Sequence, residues 1–210
     1  MADNRARLKL KGTGYTLPFS GPASVLSSKN GIVFPYTPTI ASSMTTEYSQ
    51  YDIVHSNYPQ QSFVRHRPGN TTVTAQFINQ TVDDARYTAG VLHFLSVVMK
   101  MHFGTDDTNA GTPPPLLEFS AYGLTNFNRV PVFVSSFSTT YPDDVDYITA
   151  SVSTSGRQDQ AGTSAGTYDI NLPAIMTINI ELIPHFPARV QNTFDLNSFA
   201  NGGLYSQGFI

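Results

Sequence analysis

Most of the chain is patterned for strands. The cleanest alternation runs from Met176 to Phe186, with Met176, Ile178, Ile180 and Leu182 on one face and Thr177, Asn179 and Glu181 on the other. Thr71 to Ile78 alternates in the same way, with Val73, Ala75 and Phe77 facing inward. From Ile40 to Val54, the positions Ile40, Met44, Thr46 and Tyr48 alternate with Thr45, Glu47, Ser49 and Tyr51. That pattern predicts a long strand with two moderately polar faces. Further strands are expected over Ser62–Arg67, Leu116–Tyr122, Asn128–Tyr141 and Tyr147–Val152. Gly31 to Pro38 is apolar but broken by two prolines, which suits an edge strand or an irregular extended segment. Turns are expected at Ser56–Pro59, Pro68–Asn70 and Pro142–Asp144, where Pro, Gly, Asn and Asp gather.

A single segment reads as a helix, from about Thr81 to Phe103. Thr81 followed by Asp84 approximates a capping box, and Asp83 and Asp84 stand where the helix dipole favours acids. Lys100 and His102 are expected in the last turn, with Gly104 as the left-handed residue beyond it. Val91, Leu92, Phe94, Leu95, Val97, Val98 and Met99 make the segment apolar on most sides, so it should be buried against a sheet and a second cover. Many strands around one helix, with no βαβ repeat, predict a mainly β chain: an antiparallel sandwich or barrel with a flanking helix. The expected organisation is an extended N-terminal arm over 1–30, one β domain over 31–190 and a C-terminal docking tail over 191–210. Ser153 to Gly166 reads as a low-complexity loop.

Composition turns this fold class toward assembly. Only 13% of the 210 residues are charged, against ~25% in an average domain. The chain has 11 Tyr and 14 Phe, and interface cores are depleted in charge and enriched in these aromatics. The net charge of −3 conceals a basic start, with Arg5, Arg7, Lys9 and Lys11 opposed only by Asp3. Such a stretch is either a solvated terminus or a contact for an acidic neighbour. Nucleic acid is the weaker reading, because no basic groove interleaved with aromatics follows. On this basis, deleting Met1 to Lys11 is expected to leave the fold intact and to impair joining to a neighbour. There is no cysteine, hence no disulfide framework. The N-terminus has no apolar signal-peptide core, and the run from Val91 to Met101 is too short to span a bilayer, so synthesis in a cytoplasm without membrane insertion is expected.

Catalytic patterns are few. Gly162-Thr163-Ser164-Ala165-Gly166 matches a nucleophile elbow, with Asp169 and His185 following in triad order. The elbow needs a strand before the serine and a helix after it, and neither is expected here. His55, His66, His93, His102 and His185 show no metal-ligand spacing. Asp143, Asp144 and Asp146 lack the further ligands of a calcium loop and read as a solvated turn. No catalytic residue, metal site or cofactor is assigned.

Several stretches taken together carry a resemblance. They are Ile32-Val33-Phe34-Pro35-Tyr36-Thr37-Pro38, Tyr51-Asp52-Ile53-Val54-His55-Ser56-Asn57-Tyr58 and Met99-Lys100-Met101-His102-Phe103-Gly104. In order, Gly111-Thr112-Pro113-Pro114-Pro115, Pro131-Val132-Phe133-Val134-Ser135-Ser136-Phe137 and Pro142-Asp143-Asp144-Val145-Asp146-Tyr147 follow, with Phe199 to Leu204 and Gly208 to Ile210 at the end. Together these resemble the tail-tube initiator, or baseplate tube-junction protein, of contractile-tailed phages. The likeness covers most of the chain from Gly31 onward, and its specificity lies in the stretches occurring together around one helix.

The resemblance implies a non-enzymatic structural subunit of the virion. Its fold would be a barrel-like sandwich of the tail-tube type. Six copies would form a homohexameric ring with a continuous inner β-barrel. The implied partners are the baseplate hub, an adjacent tube or junction ring and the tape-measure protein in the lumen. Viral DNA would pass through without sequence-specific binding, and assembly would occur in the host cytoplasm. Expected inter-subunit or inter-ring contacts are Arg5, Arg7, Lys9, Lys11, Tyr48, Tyr51, His55, Tyr58, Phe199, Leu204 and Phe209. The nearest alternative is the main tail-tube protein or a second stacked junction ring. More distant alternatives are a β-sandwich hydrolase using Ser164 and a carbohydrate- or receptor-binding β module suggested by the Tyr and Phe content.

Overall fold

The computed structural model describes residues 5–12, 19–105, 107–123, 126–154 and 166–210. The chain is mainly β, with a large antiparallel sheet and few helices. In chain order the strands are β1 (Arg7–Leu10), β2 (Gly31–Val33), β3 (Thr39–Tyr51), β4 (Gln60–Ile78), β5 (Leu117–Ala121), β6 (Phe127–Thr140), β7 (Tyr147–Thr154), β8 (Gly166–Pro173) and β9 (Ile175–Pro184). Seven of them form one sheet in the order β2-β1-β5-β6-β9-β4-β3, and β7 and β8 pair as a separate hairpin. The helices are α1 (Val82–Val98), α2 (Ala188–Gln191) and α3 (Leu196–Ala200), with 3-10 turns at Gly21–Lys29 and Tyr205–Gln207.

The core lies between one face of the large sheet and a layer made of α1, the Gly21–Lys29 turn and the β7–β8 hairpin. Cross-strand register builds it in rows. Phe77 faces Met176, while Ala75 faces Ile178 and Val73 faces Ile180, and β6 adds Phe137 beside Ile180 and Val134 beside Leu182. Side chains paired in this way on one face are the unit of sheet stabilisation. Above them α1 presents Ala85, Thr88, Val91, Phe94, Leu95 and Val98, all buried. The helix start is capped as expected: Asp84 N–H donates to Thr81 Oγ1 (3.2 Å), and Thr81 N–H donates to Asp84 Oδ2 (3.0 Å). Gly90 permits the close approach of the Gly21–Lys29 turn, since a Cβ there would lie 2.9 Å from the Pro22 carbonyl. The second cover of α1 therefore comes from the chain itself.

Five expectations need correction. Arg7–Leu10 is not part of an extended arm but a strand held between β2 and β5, with Leu8 and Leu10 buried in the core. Alternation across four residues suffices there, because the cations point to the opposite face. Deleting residues 1–11 would thus remove an inner strand. The helix ends at Val98, with Met99 as cap, and does not reach Phe103. His102 instead exchanges backbone hydrogen bonds with Gly111 and Thr112, and its ring nitrogen lies 2.8 Å from Asp107 Oδ2, so it clamps a loop. Neither Lys100 nor His102 stands in the last helical turn.

Pro68-Gly69-Asn70 does not turn the chain. β4 runs through it for 19 residues with a shift in register against Ser42 and Met44. An irregularity of this kind tolerates a residue without an N–H, and Gly69 passes so close to Ser43 that a Cβ would be 2.9 Å from its carbonyl oxygen. Finally, β8 is a strand over Gly166–Pro173, a stretch to which no element was assigned from the sequence. It pairs with β7 from Thr154–Gly166 to Tyr147–Pro173. Most of the 153–166 loop lies outside the described residues.

Candidate functional site

The β3–β4 hairpin is two structures in series. Near the sheet, Thr71, Val73, Ala75 and Phe77 are buried and alternate with exposed or half-buried partners. From Gln60 to Arg67 every residue of β4 is exposed, and so is every residue of β3 from Ala41 to Tyr51. Pairing nevertheless continues to Tyr51–Gln60. The outer hairpin therefore projects from the body with both faces in solvent, held by its ladder and not by a core. A two-stranded hairpin alone is marginal in water, so this one depends on the sheet it continues.

Its two faces differ. The face continuing the core side carries Met44, Thr46 and Tyr48 opposite Pro68, His66 and Phe63. The Tyr48 and Phe63 rings pack edge-on at 6.1 Å although the residues are 57% and 63% exposed. The other face carries Thr45, Glu47 and Ser49 opposite Arg67, Arg65 and Ser62. Glu47 accepts from Arg65 Nε at 2.8 Å, with Arg67 at 3.7 Å. Both pairs are exposed and contribute little to stability.

The two edges of the large sheet also differ. At β2, the Tyr87 hydroxyl accepts from Val33 N–H (2.9 Å) and donates to Val33 O (2.7 Å), so a side chain of α1 occupies the edge groups. Burial pushes the Tyr87 phenol pKa up, partly opposed by the Val33 hydrogen bond and by Arg5. The other edge is β3: 13 residues, no proline and one charged residue, Glu47. Long open edges of this kind are templates for strand addition. A further unpaired backbone row belongs to β6, because β5 covers it only from Phe127 to Val132. Among the described residues, no strand pairs on that side of Phe133–Thr140.

Opposite the core, the same sheet presents polar rows: Thr72–Glu181–Ser136, Thr74–Asn179–Ser138 and Gln76–Thr177–Thr140. Glu181 is their only charge. It accepts from Asn70 Nδ2 (2.8 Å) and from the Ser135 and Ser136 hydroxyls (both 3.1 Å), and these hydrogen bonds hold its carboxyl below the usual range. One side chain thus ties the irregular stretch of β4 to the bulge of β6. Toward the hairpin this face becomes charged, since Glu47, Arg65 and Arg67 continue it.

The expected contact residues fall into three groups. Tyr48, Tyr51, His55 and Tyr58 lie together, exposed, along the hairpin and its tip. Arg5, Arg7, Lys9 and Lys11 lie on or beside β1, toward the opposite end of the strand order, where Lys9 pairs in register with Glu118. The C-terminal segment folds back on the body. Leu204 is buried there and offers no surface to a neighbour, while Phe209 stacks on Phe186 (5.4 Å) and meets Phe194 (5.3 Å). Phe199 packs against Phe194 at 5.6 Å. Between these aromatics and the core-side face of the hairpin lies a cleft of about 830 Å³. Reasoning from sequence missed this cleft, and its only signal was the scatter of phenylalanines after Pro184.

The candidate catalytic groups do not converge among the described residues. Ser164 lies outside them, the Asp169 carboxylate accepts from Ser151 (2.6 Å), and the His185 ring rests on Phe133 (5.0 Å). Asp143, Asp144 and Asp146 are exposed in a turn. No group of three His, Asp or Glu side chains among the described residues could hold a metal ion. The His93 pKa is lowered by burial and by Lys100. No described helix is long and apolar enough to cross a membrane. No protein-family model matches the chain, and no curated protein matches it in sequence.

Proposed function

We propose that this chain is a structural subunit of a homohexameric ring that joins the baseplate hub to the tail tube of a contractile-tailed phage. The ring would initiate tube polymerisation and form part of the DNA ejection channel, with no catalysis. One observation carries the reading: the β3–β4 hairpin leaves the body with both faces exposed and an open β3 edge. A monomer gains nothing from that arrangement. Copies in a ring can pair the β3 edge of one with the free Phe133–Thr140 row of β6 in the next, so that β6, β9, β4 and β3 of each copy join a continuous barrel and no edge is left open.

The polar rows of Thr, Ser, Asn and Gln around Glu181 suit the channel side of such a barrel. A conduit for DNA should not hold the phosphate backbone, and the body rows carry no Lys or Arg. Arg65 and Arg67, one neutralised by Glu47, stand on the same face only on the projecting hairpin. Hub, adjacent ring and tape-measure protein are the proposed partners, and the virion tail is the proposed location. A main tail-tube subunit or a second junction ring would be built alike and differ in what stacks on it.

Negative-stain electron microscopy of the purified protein tests the reading. Six-fold rings with an open centre are expected. A compact monomer at high concentration, with no tendency to stack, would sink it. Tail assembly at normal yield with Ser164→Ala is expected as well, and its loss would favour the hydrolase alternative.

A further inference from the structure

Two apolar features have no partner among the described residues of the chain. The first is the hairpin tip, residues 52–59. Its shape is set locally: Ser56 N–H donates to Ile53 O (3.2 Å), the Ser56 hydroxyl donates to Tyr58 O (2.8 Å), and Gln50 Nε2 donates to Asp52 Oδ1 (2.7 Å). His55 takes a left-handed φ of 66° and turns the chain. Val54 and Tyr58 are nonetheless 80% and 83% exposed, and Ile53 is more than half exposed. A tip already ordered by its own hydrogen bonds loses little freedom on docking.

The second feature is the cleft at the hairpin base. Met44 and Phe63 form one wall, and Phe194, Leu196 and Phe199 form the other. Its lining side chains include no Lys, Arg, Asp or Glu, and His66 is the only titratable one. At about 830 Å³ it falls in the ~300–1,000 Å³ range that encloses a compact apolar group. The tip does not fill its own cleft: the nearest lining residue on the hairpin, Phe63, pairs with Tyr48, and the ladder running on to Tyr51–Gln60 holds the tip ~10 Å beyond it at ~3.4 Å per residue.

We infer that the hairpin tip of one copy seats in the C-terminal cleft of a second copy. Tip and cleft are both apolar and nearly uncharged, so neither must strip water from a buried charge. The contact is heterologous, with different surfaces meeting, so copies join head to tail and close into a ring when the rotation permits. Tyr58, as an aromatic side chain, buries ~150–250 Å², and with the smaller Ile53 and Val54 the tip covers on the order of 400 Å². That is about half of the ~800 Å² per partner of a stable interface. The contact therefore acts together with other inter-copy contacts and not alone. It rests on the proposed assembly only in requiring that copies of the chain meet.

The test is a charge-swap cycle on the full chain, read as the self-association constant by sedimentation equilibrium. Val54→Asp and Leu196→Lys alter exposed positions, and unchanged thermal unfolding verifies the fold of each. Each should weaken association roughly tenfold or more, because an unpaired charge would face an apolar surface. Val54→Asp combined with Leu196→Lys should recover most of that loss, since the V54D carboxylate would then meet an ammonium. Wild-type association by either single variant, or a combination that only adds two losses, overturns the contact. Six-fold rings without coupling refute the contact and leave the ring proposal standing. Coupling in an assembly that is not six-fold supports the contact and refutes the ring.

Discussion

The two halves of β4 are made by one continuous ladder yet obey different rules. From Thr71 to Ile78, alternate side chains vanish into the core and set the register against β9. From Gln60 to Arg67 no side chain is buried, although the ladder to β3 runs on, through two shifts in register, as far as Tyr51–Gln60. Backbone pairing thus extends well beyond the part of the strand that packing stabilises. In a chain that stayed alone, the outer half would be a hazard, since long open strands recruit others. Its exposed aromatic pair, Tyr48 and Phe63, would make sense if another copy completed it. The two sheet edges repeat the contrast: Tyr87 occupies the edge groups of Val33 at β2, and among the described residues nothing pairs with the outer edge of β3.

Deleting the outer hairpin, by joining Thr45 to Arg67, its partner across the ladder, through an Asn-Gly turn, should separate the halves most sharply. Self-association should be abolished while thermal unfolding shifts by only a few degrees. Truncation of residues 1–11 should do the opposite, with loss of cooperative unfolding by circular dichroism, because β1 is flanked by two strands and buries Leu8 and Leu10. Intact folding of that truncation would contradict the placement of β1.

Paired substitutions test the contrast at single-residue scale. Phe77→Ala in the buried half should cost ~3–5 kcal/mol in denaturant unfolding. Phe63→Ala in the exposed half should stay within ~0.5 kcal/mol and act on association instead. Equal costs would mean that the outer hairpin is packed in the monomer. Tyr87→Phe removes both edge hydrogen bonds and should cost about 1 kcal/mol. It should also add irregular aggregates seen by light scattering, since the β2 edge would then be open.

The smallest effect concerns Glu181. Its native pKa is depressed by Asn70, Ser135 and Ser136, so the ionised form is favoured in the folded state. The associated stability is fully present above the unfolded carboxyl value of ~4.3 and is lost as pH falls through the lower native value. Glu181→Gln should therefore flatten the fall in melting temperature between pH 5 and the acid limit. An unchanged acid slope would mean that Glu181 does not link β4 to β6 in solution.

Much of the architecture was readable from local pattern. The alternation in Met176–Phe186 became β9, and the Thr81–Asp84 pairing became a capping box with both hydrogen bonds in place. Failures occurred where a distant partner overrides local chemistry. Pro68-Gly69-Asn70 has the composition of a turn, and only Ser43 across the ladder and Glu181 beside Asn70 keep it in a strand. Leu8 and Leu10 were hidden among four cations that point away from the core. For the candidate site, the two-sided polarity of Ile40–Val54 predicted a strand with two moderately polar faces, and Tyr48, Tyr51 and Tyr58, expected as contact residues, lie exposed along the hairpin. The cleft at the hairpin base was unreadable, because it exists only where the C-terminal phenylalanines fold back toward β3 and β4.

The central proposal is that the hairpin and the open edge exist to join six copies. The most direct measurement is the mass of the largest discrete species in native mass spectrometry as concentration rises, for the full chain and for the hairpin deletion side by side. Six copies of a 22.9 kDa chain, collapsing to one copy on hairpin deletion, is the predicted result. A single copy at every concentration, or a hexamer that survives the deletion, would contradict it.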